Sequence, residues 1–158
     1  LQWLDLQATS IDGRSLAYAI KMNAALTYLD VRDTRLWDDA VFLTVGSSLL
    51  VKGCVSRLSY LRCADYELLP GMSTLNLQEH TLGVGTLHLL AALLRRNSEL
   101  TELDLTATDM DERAADAFSL ALEENTSLKR LALRYNHLDE ETERAVRGAA
   151  RAGVELLI

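Results

Sequence analysis

Cysteine, proline, histidine and positive charge are all scarce in this 158-residue chain, and each scarcity removes a class of protein. Two cysteines, Cys54 and Cys63, are too few for a disulfide framework, so a reducing, cytoplasmic setting is the expectation. Lysine plus arginine number 16 against 23 aspartates plus glutamates, a net charge of -7. Such a surface repels phosphates, which excludes a nucleic acid or an anionic membrane as the expected partner and favours a basic one. No apolar run reaches membrane-spanning length, and no segment resembles a signal peptide. His80, His88 and His137 stand at no metal-ligand spacing with either cysteine, and Cys63 falls in a slot that wants a small hydrophobe. Serine and histidine are scattered without an acid partner, and the pair Glu140 and Glu141 is explained by a helix start. The expectation is therefore no catalytic site, no metal and no cofactor. Gly83 and Gly85 begin a pattern of the dinucleotide-binding kind, but His88 holds the third glycine position and they read as a helix-entry turn. Asn125-Thr126-Ser127 matches a glycosylation acceptor, yet Asn125 is already accounted for as a helix terminator.

What the chain has in plenty is leucine at fixed intervals. Residues 100–110 (LTELDLTATDM) and 128–138 (LKRLALRYNHL) share the pattern L-x-x-L-x-L-x-x-(T/N)-x-apolar, with a helical pattern between them. Starting points Leu1, Leu26, Leu58, Met72, Leu100 and Leu128 each carry an apolar residue three, five and ten places on. The third-place set is Leu4, Leu29, Leu61, Leu75, Leu103 and Leu131; the fifth-place set is Leu6, Val31, Cys63, Leu77, Leu105 and Leu133. Ten places on stand Ile11, Leu36, Leu68, Leu82, Met110 and Leu138. Apolar residues two apart in a short strand point to one side, and the later one turns the chain inward toward a helix. Helical spacing follows at Leu16, Ala19 and Ile20, at Leu87, Leu90, Ala91 and Leu94, and at Ala114, Ala117, Phe118 and Ala121. Asp111 and Asp139 suit N-caps, Glu140 and Glu141 a first turn, and Arg95, Arg96, Arg147 and Arg151 last turns. Asn23, Asn97, Asn125 and Gly153 stand where a left-handed C-terminal turn would close each helix.

With that pattern the chain resembles the leucine-rich repeat family. The units look like the long, helix-containing subtype of ribonuclease inhibitor, NOD-like receptors, Ran GTPase-activating protein and tropomodulin. The resemblance covers residues 1–158 as a single domain of about six units starting at 1, 26, 58, 72, 100 and 128. It implies an α/β solenoid, a horseshoe arc with parallel strands on the concave face and helices on the convex face. The motif is specific for fold and nearly silent on function. The family implies a protein-interaction scaffold first, with GTPase activation of the Ran type or actin capping of the tropomodulin type as alternatives. Stimulated GTP hydrolysis and actin co-sedimentation separate these. Three departures stand out. The position usually Asn or Cys reads Thr9, Thr34, Tyr66, His80, Thr108 and Asn136, where Tyr66 and His80 cannot bond the loop backbone as threonine does. The unit from Leu58 to Met72 is short, and holds Pro70 and Gly71 where a helix belongs. It follows a stretched unit containing Gly46 and Gly53, and a local change of curvature is expected around residues 52–72.

Residues between the strand leucines face the concave side in such an arc, so columns can be read across the units. The column before the second leucine is Trp3, Tyr28, Tyr60, Thr74, Glu102 and Arg130; the next is Asp5, Asp30, Arg62, Asn76, Asp104 and Ala132. Then come Gln7, Arg32, Ala64, Gln78, Thr106 and Arg134, and after them Ala8, Asp33, Asp65, Glu79, Ala107 and Tyr135. The N-terminal half is aromatic and acidic. Exposed Trp3, Tyr28 and Tyr60 beside Asp30, Asp33 and Asp65 are the expected docking patch for a protein partner bearing a basic segment. The competing reading is a cross-strand ladder that stabilises a sheet beneath solvated acids. A unit cut open at Leu1 and a further strand begun at Leu156 point to embedding in a larger assembly or to pairing at strand edges.

Overall fold

A computed structural model describes residues 2–10, 12–34 and 38–158. Leu1, Ile11 and Leu36, three of the expected apolar positions, lie outside them. Strands and helices alternate along the chain: β1 (Trp3–Asp5), α1 (Gly13–Lys21), β2 (Tyr28–Asp30), α2 (Asp39–Leu50), then β3 (Tyr60–Arg62) and β4 (Glu67–Leu68). The second half runs β5 (Thr74–Asn76), α3 (Val84–Leu94), β6 (Glu102–Asp104), α4 (Glu112–Glu124), β7 (Arg130–Ala132), α5 (Glu140–Ala149) and β8 (Glu155–Leu157). The central leucines pair in register, Leu4 with Leu29 and Leu61 in one sheet, Leu75 with Leu103, Leu131 and Leu156 in the other. Leu29, Leu61 and Leu131 are wholly buried, and the apolar residues two places past the central leucines, Leu6, Val31, Cys63, Leu77, Leu105 and Leu133, are buried too.

The strands are short because the chain is turned out of extension soon after each one. Ala8, Asp33, Glu79, Ala107 and Tyr135, each three residues past the end of its strand, all take left-handed φ values between 54° and 62°. One residue later, Thr9, Thr34 and Thr108 donate their hydroxyls to the carbonyls of Leu6, Val31 and Leu105, and the Asn136 amide donates to Leu133. The expected role of threonine at this position holds. The His80 ring instead meets the Gln78 carbonyl through Nδ1, and Tyr66 is buried with its hydroxyl unpartnered among the described residues.

Tyr66 marks the place where the expected single run of parallel strands is corrected. After β3 the chain forms a hairpin, the Cys63 N–H donating to the Tyr66 carbonyl, and β4 pairs antiparallel to β3. Asp65 accordingly lacks the left-handed φ of its five counterparts. The result is two four-stranded sheets, β1-β2-β3-β4 and β5-β6-β7-β8, parallel except for β4. No helix lies between β3 and β5, as Pro70 and Gly71 led one to expect.

Two further expectations change. Asn125 closes α4 in extended conformation, φ -68°, and neither Asn23 nor Asn97 takes a left-handed φ. Each asparagine instead accepts two backbone N–H bonds through Oδ1, from Ala25 and Leu26, from Glu99 and Leu100, and from Ser127 and Leu128. Only Gly153 adopts the left-handed turn, at φ +96°. In α1 the buried positions are Leu16, Ala17 and Ile20, with Ala19 exposed.

The helix layer joins the two halves. Helix α3 is apolar on every side and buried along most of its length between α2 and α4. Its approach to α2 requires glycine: a Cβ on Gly85 would lie 1.8 Å from the Asp39 carbonyl oxygen, and one on Gly46 would lie 2.7 Å from the Leu89 nitrogen. Gly83 and Gly85 are thus packing residues. At the other end Arg95 donates to the Leu49 and Leu50 carbonyls and pairs with Glu124, gathering the C-terminal ends of α2, α3 and α4.

Candidate functional site

Register sets Trp3, Tyr28 and Tyr60 side by side on the first sheet. The Trp3 and Tyr28 ring centroids are 4.4 Å apart with planes tilted by 57°, a favourable aromatic geometry. Trp3 is 62% exposed, whereas Tyr28 is 4% exposed. Tyr60 is half-buried and donates its hydroxyl to Glu99 Oε2 at 2.6 Å, while the same oxygen accepts the Gly71 N–H at 2.8 Å. Burial, and then the bond to Glu99, push the Tyr60 phenol up to about 12. Burial raises the Tyr28 phenol as well, with Asp30 adding to it.

The next row is Asp5, Asp30 and Arg62, and it is not the acidic stripe that the sequence led one to expect. Asp30 is 3% exposed and is grasped by Arg32, Nε to Oδ1 at 3.0 Å and Nη2 to Oδ2 at 2.8 Å. The Arg32 hydrogen bond holds the Asp30 carboxyl below its usual range. Arg62 lies 3.9 Å from Asp30 and donates twice to Glu67 Oε1, at 3.0 and 2.7 Å. Two arginines and two carboxylates thereby neutralise one another at the centre of the sheet. The acids of this column also have a local task. Asp5, Asp30, Asn76 and Asp104 each accept the N–H two residues on, at 2.9 to 3.1 Å, ending the strand in an Asx turn.

The expected docking patch is therefore corrected in its exposure. Tyr28 and Asp30 sit on a middle strand with neighbours on both sides and are interior, whereas Trp3, Asp33 and Asp65 are exposed. Asp33 and Asp65 leave the sheet face for the loop edge. Gln7 Nε2 donates to Asp33 Oδ2 at 3.0 Å, and the Thr86 hydroxyl donates to Asp65 Oδ2 at 3.0 Å. Both carboxylates line a cavity of about 430 Å³ whose floor is Val31, Phe42 and Cys63.

A third carboxylate of this cavity, Asp39, was missed by the sequence reading. Its Oδ1 accepts the Thr86 N–H at 2.9 Å. This caps α3 from the neighbouring helix, because Gly83 at the N-cap has no side chain to do so. The bare glycine at an N-cap position was the available signal. Burial drives the Cys63 thiol up to about 11, so it is protonated and packs as a small hydrophobe. Among the described residues no group of three or more His, Cys, Asp or Glu could hold a metal ion. No described helix is long and apolar enough to cross a membrane.

No protein-family model matches the chain, and no curated protein matches it. Among solved structures, leiomodin-1 actin-binding site 2 is similar over 94% of this chain and 78% of that chain, at 16% identity and a TM-score of 0.43. The tropomodulin C-terminal domain of Caenorhabditis elegans is similar over 94% of this chain and 81% of that chain, at 19% identity and a TM-score of 0.40.

Proposed function

We propose that the protein is a recognition module of the leucine-rich-repeat solenoid class, a non-enzymatic scaffold that binds a protein partner carrying a basic segment. The observation that carries this reading is Trp3, a tryptophan 62% exposed yet held in a tilted ring contact with Tyr28, on a sheet that also carries carboxylates. An exposed tryptophan with its ring already oriented contributes contact area at little ordering cost, which suits an interface anchor. On the same sheet and its loop edge, among the described residues, Asp5, Asp30, Asp33, Asp65 and Glu67 stand against two cations, Arg32 and Arg62. Among the described residues the balance is negative, and at the loop edge Asp33 and Asp65 line one cavity over an apolar floor. A lysine or arginine side chain matches that form, with its stem on the floor and its charge at the rim.

The reading includes a cytoplasmic setting, which free Cys54 and buried Cys63 suit, and membership of a larger assembly. Its test is a quantitative pull-down from cytosolic lysate with the parent protein and the variant Trp3→Ala, Asp33→Arg, Asp65→Arg. All three positions are exposed, and equal thermal melting of parent and variant is established before capture is compared. Substituting Tyr28 or Asp30 would disturb the sheet itself. Specific partners lost from the variant alone support the reading; identical capture by both proteins removes it.

A further inference from the structure

On the opposite layer of the molecule, α2, α3 and α4 enclose a groove of about 470 Å³. Each helix contributes a stripe at helical spacing. Leu43, Leu50 and Val51 form the α2 wall, Val84 and His88 the floor, and Leu120 stands on the α4 wall. The groove exists because α3 is recessed, being buried along the rest of its length. Two observations set it apart from an ordinary helix surface. Residues 40–51, from one end of α2 to just past the other, contain no charged side chain, although Thr44 and Ser47 are exposed. Val51 and Leu120 are 50% and 48% exposed, facing one another across the groove.

The α4 side supplies the polarity of the occupant. Asp116 lines the groove, and Glu123 follows at the same helical spacing through Leu120. Both are exposed, and among the described residues neither has an ion-pair partner; the cation of this wall, Arg113, is turned to Asp111 at 3.2 Å. The groove is thus apolar on one wall and negatively rimmed on the other. We propose that it seats an amphipathic helix of a partner protein, apolar residues inward and lysines or arginines along the side facing α4. The stripe from Leu43 to Val51 spans about 12 Å, two turns of helix on each side of the contact. This surface is separate from the strand face and stands without it.

The test uses two labelled synthetic peptides of about 18 residues, long enough to hold helical structure. Both carry the same leucine stripe, one flanked by lysine and the other by glutamate, and binding is read by fluorescence anisotropy. Saturable binding of the lysine peptide is expected, with the glutamate peptide weaker by about tenfold or more. Leu120→Gln should weaken the lysine peptide by about tenfold, and Asp116→Lys with Glu123→Lys should reverse the preference between the two. Equal binding of both peptides, no saturable binding of the lysine peptide, or binding indifferent to Leu120→Gln overturns the proposal. Sedimentation supplies the second control: a dimer that Leu120→Gln dissolves would assign the groove to a second copy of this chain and overturn it too.

Discussion

At the scale of single residues, asparagine and threonine take the chain from one element to the next. Asn125 is the fullest case. Its Nδ2 donates to the Leu94 and Asn97 carbonyls at 2.7 and 3.0 Å while Oδ1 accepts from Ser127 and Leu128, all in a buried position. Asn125→Ala should cost about 2–4 kcal/mol by leaving these groups unpaired. Glycine discriminates between mechanisms. A left-handed cap would accept Asn125→Gly without loss, but with φ at -68° and the side chain making the bonds, Asn125→Gly should be as damaging as alanine in urea denaturation. Tyr135 presents the reverse situation, 84% exposed in a left-handed conformation that a bulky side chain adopts at a cost. Tyr135→Asn should stabilise the protein by about 0.5–1 kcal/mol in the same measurement. The position of these asparagines was legible in the sequence and their mechanism was not, because a helix stop and an Asx-type bond select the same residue.

At the scale of elements, the helices were legible because each shows its own periodicity and acid cap. Asp111 and Asp139 accept from Ala114 and Thr142 as expected, and Asp12 and Asp38 do the same for α1 and α2. The antiparallel β4 was not legible: the short unit with Pro70 and Gly71 and the bulky Tyr66 marked an irregularity, but two residues give no alternation from which to read a strand or its direction. Pairing between elements was equally hidden. Asp30 looked like a surface acid until Arg32, from the next column, and Arg62, from its own, met it. Arg95 was expected near a helix end, yet its bonds reach the end of a different helix. Arg95→Met should therefore cost about 2–4 kcal/mol, chiefly from the stranded Leu49 and Leu50 carbonyls. Glu124→Gln removes only the half-exposed charge and should cost less than about 1 kcal/mol. Equal losses from the two substitutions would show that the ion pair, and not the carbonyl bonds, holds the three helix ends together.

At the scale of the whole molecule, the two sheets share no strand pairing among the described residues, so what makes them one unit lies elsewhere. The links include the α2–α3 packing, the Asp39 cap on α3, the Thr86 bond to Asp65, the Arg95 bonds, the Asn97 bond to the Ser59 carbonyl, and Tyr60 with Glu99. The last is sensitive to pH. A phenol whose folded value is raised contributes stability that is whole below about pH 10 and is lost as pH climbs toward about 12. Glu99 is held low, chiefly by the Tyr60 hydroxyl, so its share is present above the ordinary carboxylate range and fades as pH falls through its lowered value. Ultraviolet titration should find Tyr60 ionising near pH 12, and Glu99→Gln should bring it down partway, since burial remains. Loosening one link should also expose the seam between the halves. The second half holds most of the fully buried apolar side chains, those of α3 and α4 among them, and the first half meets it through α2, which packs on α3. In Arg95→Met, hydrogen exchange should accelerate first over residues 3–68 and leave 74–132 protected, because the cooperative unit divides where the sheets divide. Uniform acceleration across both sheets would mean that the helix layer alone couples the molecule, with Arg95 only one of many equivalent contacts.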